Sequence, residues 1–301
     1  MSKDIRRRTL LTAGMAAGAV SLATATLTPS AYAAGGPLIG RATRGEVHVM
    51  SFNLRLPVDE PPRSWTERRR LVRELLRGER PTLLGTQEGT FAQLQDVAED
   101  LGEHYDWIHL FRRGGSEGEA TAIFYDRTRL RALAYDHLWL SATPRLAGSR
   151  MWDSSSPRML TWVRFVDRHT GRQLVHLNTH LDHKSARARR RAAAMIAGIV
   201  RSFDVPVVIT GDFNSSPAGP AHRILLSEGL IDAWDAARER LTASYATYNG
   251  WDPSPVEGGR RIDWILASED VTVVKAAVNT WTLGGVPPSD HWPVQALVRL
   301  A

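Results

Sequence analysis

The sequence predicts an α/β fold in which two mainly antiparallel sheets stack face to face between helices, a four-layer α/β/β/α sandwich. The chain has 301 residues, of which 43% are hydrophobic, and this is ample for a sizeable core. Strand and helix patterns alternate at first, and strand patterns then follow one another. Stacked sheets with outer helices satisfy these patterns, because each sheet buries one face on the other sheet and one under helices.

The first part of the chain alternates strands and helices. The predicted elements are strand 46–55, helix 64–78, strand 81–88 and helix 91–102, which closes on Gly102. Leu71, Leu75 and Leu76 share one face of the first helix. Ser64 is the candidate N-cap of that helix, and Gly78 is its expected end.

The rest of the chain is predicted to be rich in strands. The elements are strands 120–126, 129–141, 158–167 and 172–181, helix 185–203, strand 205–214, and strands in the segments RIDWILAS, VTVVKAAVNTW and HWPVQALVRL. The residues 167–172 are typical of a hairpin turn. Neither a linker nor a repeat interrupts residues 46–301, so we expect a single domain there, after a lead-in at 34–45.

The first 33 residues have the layout of an export signal. The basic segment RRRTLL at 6–11 precedes a weakly apolar stretch that ends in AYA at 31–33. This order is typical of a signal peptide, and the arginine pair before x-Leu-Leu resembles a twin-arginine signal. The stretch is too short and too rich in Gly and Thr for a comfortable membrane span. We expect residues 1–33 to be removed, which leaves a secreted or extracytoplasmic monomer without a stable membrane anchor.

Net charge and cysteine content indicate which kinds of substrate and which kinds of stabilisation to expect. The formal net charge is +6, and the leader carries four basic residues and one acidic residue, so the mature chain is about +3. This mild excess permits an anionic substrate and does not require nucleic acid. The sequence has no cysteine, so its stability must come from the core rather than from disulfides.

Polar residues follow the predicted strands, where a sheet brings distant side chains together. They are Asn53 in MSFNLR, Glu88 in GTQEG, His180 in LNTHLDH, Asp212 and Asn214 in ITGDFN, Asp263 in RIDWIL, and Asp290 and His291 in PSDHWP. Asp212 and Asn214 lie two apart on a segment expected to be extended, so both should point to one side. Glu88 is the main candidate metal ligand, because a hard dication such as Mg²⁺ prefers carboxylate oxygens.

The order of these motifs resembles the endonuclease/exonuclease/phosphatase superfamily. This is the fold of DNase I-like nucleases, deadenylase-type exonucleases, neutral sphingomyelinases and inositol-phosphate phosphatases. The resemblance covers residues from about 46 to 300, and the motifs are far more specific together than singly. It implies an enzyme that hydrolyses a phosphoester with Mg²⁺ or Mn²⁺.

The resemblance also implies roles near the metal. Glu88 would bind the metal, Asn53 would support the ligands, and Asp290 would lie near the metal. Asp212 would handle the attacking water, and Asn214 would contact the phosphate. Such groups supply the water orientation and the hydrogen-bond donors that in-line attack on phosphorus requires.

Two histidines are expected to face the phosphate. The resemblance implies that Asp263 orients His291, and an acid partner of this kind fixes the tautomer of an imidazole. It also implies that His180 assists the leaving group. Glu119, which the Gly-rich loop GGSEGEA delivers, occupies the place of the glutamate partner of His180.

Other residues are weaker candidates. Lys184 and Arg158 are expected to contact substrate, whereas Asp182 and His183 fit either the site or its solvated rim. The arginine run 187–191 shares its helix with an apolar face, so we interpret it as the solvated side. Further candidates are Arg112, Arg113, Asn178, Trp152, Trp251 and Trp281. The loops 54–64, 142–157 and 244–260 are expected to rim the site and to set its specificity.

The substrate stays open. A diester is expected rather than a monoester, by analogy with superfamily branches that have similar terminal motifs. The mild charge argues against a long nucleic-acid groove, and the lack of an amphipathic membrane helix argues against a sphingomyelinase-type enzyme. We favour a small or sugar-linked phosphodiester over a secreted nuclease or a lipid phosphodiesterase. A non-catalytic binding protein on the same fold is the alternative of another class, although this chain keeps every catalytic residue.

Overall fold

The computed structural model describes residues 36–300, so the export signal expected at 1–33 lies outside the described residues. The elements are β1 (Glu46–Asn53), α1 (Trp65–Glu79), β2 (Leu83–Gln87), α2 (Phe91–Leu101), β3 (Tyr105–Ile108), β4 (Ile123–Asp126), β5 (Leu130–Trp139), β6 (Met159–Asp167), β7 (Gln173–His180), α3 (Ala186–Val200), β8 (Val207–Asp212), α4 (Pro220–Leu226), β9 (Leu230–Asp232), α5 (Ala233–Ala236), β10 (Glu239–Arg240), β11 (Asp263–Ser268), β12 (Val271–Val278) and β13 (Val294–Leu300). Between residues 36 and 300, no helix has the length and apolarity needed to cross a membrane.

Two mixed sheets form the centre of the described part of the chain. The first has the strand order β10-β12-β13-β1-β2-β4-β3, and the second has the order β5-β6-β7-β8-β11-β9. The pairs β1–β2, β7–β8 and β10–β12 are parallel, and the other neighbours are antiparallel. The predicted α/β sandwich of two stacked sheets flanked by helices is confirmed.

Three of the four apolar clusters in residues 36–300 fill the layers. Val49 and Phe165 belong to the cluster between the two sheets. Ile196 of α3 packs on the outer face of the second sheet. Leu76 of α1 and Val97 of α2 pack on the outer face of the first. Each fully buried side chain of this size contributes roughly 1.5–3 kcal/mol of transfer free energy, so the layers are held mainly by apolar burial.

Helix α1 ends later than predicted. It continues past Gly78 to Glu79, and Arg80 caps it with a φ of 47°, in the left-handed region. The Glu79 carboxylate is buried and accepts hydrogen bonds from the backbone N–H groups of residues 38–40. This anchoring explains the extra helical residue and fastens the lead-in to the fold. Ser64 takes the predicted N-cap position, without a side-chain capping bond.

Gly85 lets the two sheets approach closely. A Cβ there would lie 2.0 Å from Thr210 Oγ1 and 2.7 Å from Asn178 Oδ1. The Asn178 side-chain nitrogen crosses this gap and donates to the carbonyls of Thr86 at 2.8 Å and Ala122 at 2.9 Å. Asn178 therefore fixes the offset between the sheets and does not reach the site itself.

The strand ends of both sheets meet at one edge of the sandwich. The parallel strands β1 and β2 end at Asn53 and Gln87, and the parallel strands β7 and β8 end at His180 and Asp212. Strand β1 packs on β8, and β2 packs on β7. The four ends therefore project polar side chains into the same region.

Candidate active site

Asn53 joins two carboxylates from different sheets. Its side-chain nitrogen donates to Glu88 Oε1 at 3.0 Å and to Asp212 Oδ2 at 3.1 Å. Its Oδ1 accepts a hydrogen bond from the Arg55 backbone at 2.9 Å. Asn53 is buried, so this amide holds Glu88 beside Asp212 in a fixed geometry.

The donor set around Glu88 fits a divalent cation. Ligand atoms of Glu88, His180 and Asp212 lie within 4.8 Å of one another. Glu88 has a φ of 62°, and such conformations in non-glycine residues concentrate at functional sites. Burial and the charge of Asp263 raise the pKa of Asp212 to about 7. Asp212 thus lies buried among further carboxylates, and Mg²⁺ or Mn²⁺ with retained waters would add to the positive charge of His291 in offsetting them.

Asp290, expected near the metal, lies at the cavity wall. Burial raises its pKa, although the charge of His291 opposes this shift. Its Oδ2 lies 3.7 Å from Arg55 Nε. It belongs to neither set of close ligand atoms found in residues 36–300.

His291 lies between two carboxylates. Its Nδ1 is 2.9 Å from Asp263 Oδ2, and its Nε2 is 4.0 Å from Asp212 Oδ2. Burial alone would lower the pKa of His291, but Asp263, Asp212 and Asp290 together raise it to about 10. The ring is therefore cationic at neutral pH, and its Nε2–H can donate to an anionic ligand.

His180 is held in its neutral form. Burial and the charges of Arg158 and Arg112 keep the pKa of His180 well below its ordinary value. The Asn214 side-chain nitrogen donates to His180 Nε2 at 3.1 Å, which leaves the ring proton on Nδ1. Glu119 Oε2 lies 3.9 Å from Nδ1, so the two side chains are neighbours without a hydrogen bond. Glu119 pairs instead with Arg112, at 2.5 and 2.8 Å.

The segment at Asn214 differs from the extended conformation expected. Strand β8 ends at Asp212, and Asn214 has a φ of 49°. The Asn214 backbone N–H donates to Asp212 Oδ1 at 2.9 Å, which makes a turn. Both side chains nevertheless line the same cavity, because the turn folds Asn214 back toward His180.

The structure places some of the basic and rim candidates in the cavity wall and others outside it. Arg158 is 7% exposed and lines the cavity, with its Nη2 3.0 Å from His183 Nδ1. Asp182 is buried rather than solvated. Lys184 is exposed and lies outside the cavity wall, and its backbone N–H donates to Asp182. The arginine run faces solvent in part, with Arg187 paired to an exposed aspartate.

The cavity has a volume of about 880 Å³. Its walls include residues from the three loops at 54–64, 142–157 and 244–260, as expected. It also includes Arg55 and Tyr248, which the sequence interpretation missed. Arg55 lies two residues after Asn53, and this period-two spacing was an available signal. No sequence signal marked Tyr248, because its position depends on how its loop folds.

The tryptophans proposed for stacking lie elsewhere. Within the described residues, Trp152, Trp251 and Trp281 are absent from the cavity wall. Trp251 packs on the Arg68 guanidinium, 5.2 Å from its ring centroid. Trp281 packs against the apolar cluster under α1 and α2. Trp251 and Trp281 therefore have roles in packing.

The fold and motifs are similar to those of known proteins. The sequence model described as Endonuclease/Exonuclease/phosphatase family matches residues 50–291. An endonuclease/exonuclease/phosphatase family protein from Bacteroides thetaiotaomicron is 29% identical, with a TM-score of 0.81, over 86% of this chain and 100% of that chain.

Two further relatives have more specific names. The mannosyl-6-phosphatase of Bacteroides thetaiotaomicron is 30% identical, with a TM-score of 0.77, over 85% of this chain and 99% of that chain. Nocturnin of Drosophila melanogaster is 26% identical over 145 residues, which are 46% of this chain and 20% of that protein. The similarity to Nocturnin thus spans one fifth of the relative.

Proposed function

Because this chain belongs to the endonuclease/exonuclease/phosphatase family and is a phosphoester hydrolase, we propose that it cleaves small, sugar-type phosphoesters with Mg²⁺ or Mn²⁺. The observation that carries the proposal is the Asn53 amide, which holds Glu88 and Asp212 together beside the cationic His291. The family depends on divalent metals, and the ligand set fits one. The relative named as a mannosyl-6-phosphatase supports a small sugar substrate.

In this proposal Glu88 holds the metal, with Asn53 and Asp290 supporting it. The cation would supply positive charge to the phosphoryl oxygens. Asp212 orients the attacking water and takes its proton. Its carboxylate lines the cavity, accepts a hydrogen bond from Asn53 and lies 4.0 Å from His291 Nε2, which places it beside a phosphate bound by His291.

The remaining groups stabilise charge on the phosphate. His291 donates from Nε2 to a phosphoryl oxygen, while Asp263 holds its Nδ1 at 2.9 Å. The Asn214 amide donates to His180 Nε2 and to the Leu181 carbonyl, at 3.1 Å each, and would contact the phosphate by exchanging one of these hydrogen bonds. His180 faces the leaving group, with Glu119 behind it at 3.9 Å. Fixed donors of this kind stabilise charge as it develops in the transition state.

Export through the twin-arginine route is a separate part of the proposal. Its support is the RRRTLL segment and the AYA site in the first 33 residues. Replacing both Arg7 and Arg8 by Lys should keep the protein inside the cell. Fractionation followed by immunoblotting measures this, and unchanged secretion of the double variant would contradict the route.

Hydrolysis assays test the enzymatic proposal. The substrates are p-nitrophenyl phosphate, bis-p-nitrophenyl phosphate, mannose 6-phosphate, plasmid DNA and sphingomyelin vesicles, each with Mg²⁺, Mn²⁺ or EDTA. We expect turnover of a small ester that requires metal and is lost in His291→Ala. His104→Ala, at an exposed position just before the edge strand β3, is the control. Cleavage of DNA or sphingomyelin alone would exclude the small-substrate proposal, and no turnover anywhere would favour a binding protein.

A further inference from the structure

The cavity has two unlike walls at opposite ends of one row of strands. In the second sheet β6, β7, β8 and β11 are neighbours, and their ends at the site carry Arg158, His180, Asp212 and Asp263 in that order. Tyr248 lies beyond Asp263, in the loop that accepts the Asp263 backbone hydrogen bond. Arg158 and Tyr248 therefore lie on opposite sides of the central site.

Arg158 has more hydrogen-bonding capacity than its surroundings use. Its side chain is buried, and its Nε and Nη1 have no hydrogen-bond partner within the described residues. Its Nη2 meets His183, and Asp182 Oδ2 lies 3.7 Å from Nε. A guanidinium carries five N–H donors and a permanent charge, so this group lacks an acceptor.

The carboxylate that pairs with Arg158 already accepts hydrogen bonds from other groups. Asp182 accepts five hydrogen bonds from the loops around it. The donors are Ser154 Oγ at 2.9 Å, Ser155 N at 2.7 Å, Ser155 Oγ at 2.6 Å, Lys184 N at 3.0 Å and Ser185 N at 2.7 Å. Asp182 thus positions the segment before Arg158, and its ion pair with the guanidinium, at 3.7 Å, leaves the Arg158 Nε–H without a hydrogen bond.

Arg112 adds a second guanidinium to this wall. It forms a two-point ion pair with Glu119, and its Nε has no partner in residues 36–300. Arg112, Glu119, Arg158 and His180 also surround a small adjoining cavity. Two guanidiniums therefore lie beside His180, and three of their nitrogens, Arg112 Nε, Arg158 Nε and Arg158 Nη1, lack a hydrogen-bond acceptor in the described part of the chain.

The opposite wall is open and largely apolar. Tyr248 is 54% exposed, and Val256 is 60% exposed. The Tyr248 ring lies edge-on to His291, with 5.2 Å between ring centroids. This side has room for an organic group, whereas the arginine side is closed and charged.

We propose that Arg158, together with Arg112, makes the site select phosphomonoesters. The terminal phosphate lies toward the arginine wall, and its single organic group extends toward Tyr248 and Val256. A monoester carries a charge of about −1.5 to −2 at pH 7 and three terminal oxygens, which suit two guanidiniums with unused N–H donors. A diester would have to place its second organic group against the buried arginines. This inference rests on the proposed function and replaces the diester expected from sequence.

The first test compares two esters with the same chromophore. Wild type should hydrolyse p-nitrophenyl phosphate at least about tenfold better in kcat/KM than bis-p-nitrophenyl phosphate. Arg158→Gln should lower kcat/KM for the monoester about 100-fold and for the diester less than about threefold, as expected for lost charge-assisted hydrogen bonds. Arg164→Gln, on the same strand β6 but paired elsewhere, is the control. Equal losses for both esters, or a wild-type preference for the diester, would overturn the inference.

The second test does not depend on turnover. Calorimetric titration of the metal-free protein with inorganic phosphate should give binding that weakens at least about tenfold in Arg158→Gln and stays unchanged in Arg164→Gln. If Arg158→Gln has a lowered Tm, Arg158→Lys is the second variant, because it keeps the positive charge without the planar guanidinium. We expect Arg158→Lys to lose less kcat/KM than Arg158→Gln, and to lose it for the monoester rather than the diester. Unchanged phosphate affinity in a folded variant refutes the role of Arg158. Failure of wild type to cleave either ester would refute the proposed function, and phosphate binding would still decide this inference.

Discussion

Asp263 Oδ2 lies 2.9 Å from His291 Nδ1, although 28 positions separate the two residues in the chain. Both side chains are buried, and Asp263 Oδ1 has no other hydrogen-bond partner in the described part of the chain. This carboxylate therefore pairs mainly with the His291 imidazole. The pairing orients the ring so that its Nε2 lies 4.0 Å from Asp212 Oδ2.

Asp263→Asn should lower kcat on a phosphoester about 10²–10⁴-fold, because a neutral amide neither holds the ring charge nor selects its tautomer. Steady-state kinetics at saturating Mg²⁺ measures the loss, and circular dichroism checks the fold. Asp270→Asn, at an exposed turn, is the control. A kcat near that of wild type would show that the pair is structural only.

Glu88→Gln should remove stabilisation by the metal. Binding to the folded state alone adds about 2.7 kcal/mol at a metal concentration 100 times Kd, so Tm of wild type should rise with Mg²⁺. The variant should show little rise, and Glu99→Gln, an exposed glutamate on α2, should behave as wild type. Differential scanning calorimetry measures both, and an equal rise in Glu88→Gln would place the metal elsewhere.

Gly85→Ala should destabilise the protein by about 1–3 kcal/mol or more, because its Cβ would overlap Thr210 Oγ1 at 2.0 Å. Gly198→Ala, in the interior of α3, should instead stabilise it by up to about 1 kcal/mol. Urea unfolding curves compare the two variants. Equal stability of Gly85→Ala and wild type would mean that the sheets can separate freely at this point.

His176 should make stability depend on pH. Burial lowers its pKa to about 3, so the ring stays neutral in the folded protein and binds a proton more readily after unfolding. Its contribution is therefore present above the unfolded pKa of about 6.5 and is lost as pH falls toward 3. Between pH 7 and pH 5 the loss from this residue is about 2 kcal/mol.

The test replaces His176 by Gln, which does not titrate and can still reach the Thr210 hydroxyl that His176 Nε2 meets at 2.9 Å. The free energy of unfolding, measured in urea at pH 7 and pH 5, should fall about 2 kcal/mol less in the variant than in wild type. His169→Gln, at an exposed turn, is the control. Identical pH dependence in His176→Gln and wild type would contradict the assignment.

Much of the fold could be predicted from sequence because its strands are long and apolar. Strands β6 and β7, for example, begin and end within a residue of the predicted bounds. Strand β3, by contrast, was missed, since it has only four residues and its exposed Asp106 breaks the apolar run. The short strands β9 and β10 were missed because their pairing depends on neighbours distant in the chain.

Some features of the site could likewise be predicted from sequence, and others could not. The side chains of Asn53, Glu88 and Asp212 were predicted to converge, because strand ends fix them. Glu119 and His180 were predicted as a pair and lie 3.9 Å apart, but the closer contact of Glu119 with Arg112 was not predicted. The turn at Asn214 was also predicted as extended chain. Such details depend on loop conformation and on side-chain competition, which spacing in the sequence does not encode.

The five hydrogen bonds on Asp182 also bear on the entropy of binding. Three of them, from Ser154 and Ser155, hold the irregular segment before Arg158 in place through groups of the protein itself. A substrate therefore does not have to order this wall when it binds, and ordering a single flexible side chain costs about 0.5–1.5 kcal/mol. The conformational entropy of this wall is thus lost when the protein folds, and substrate binding does not have to order it again.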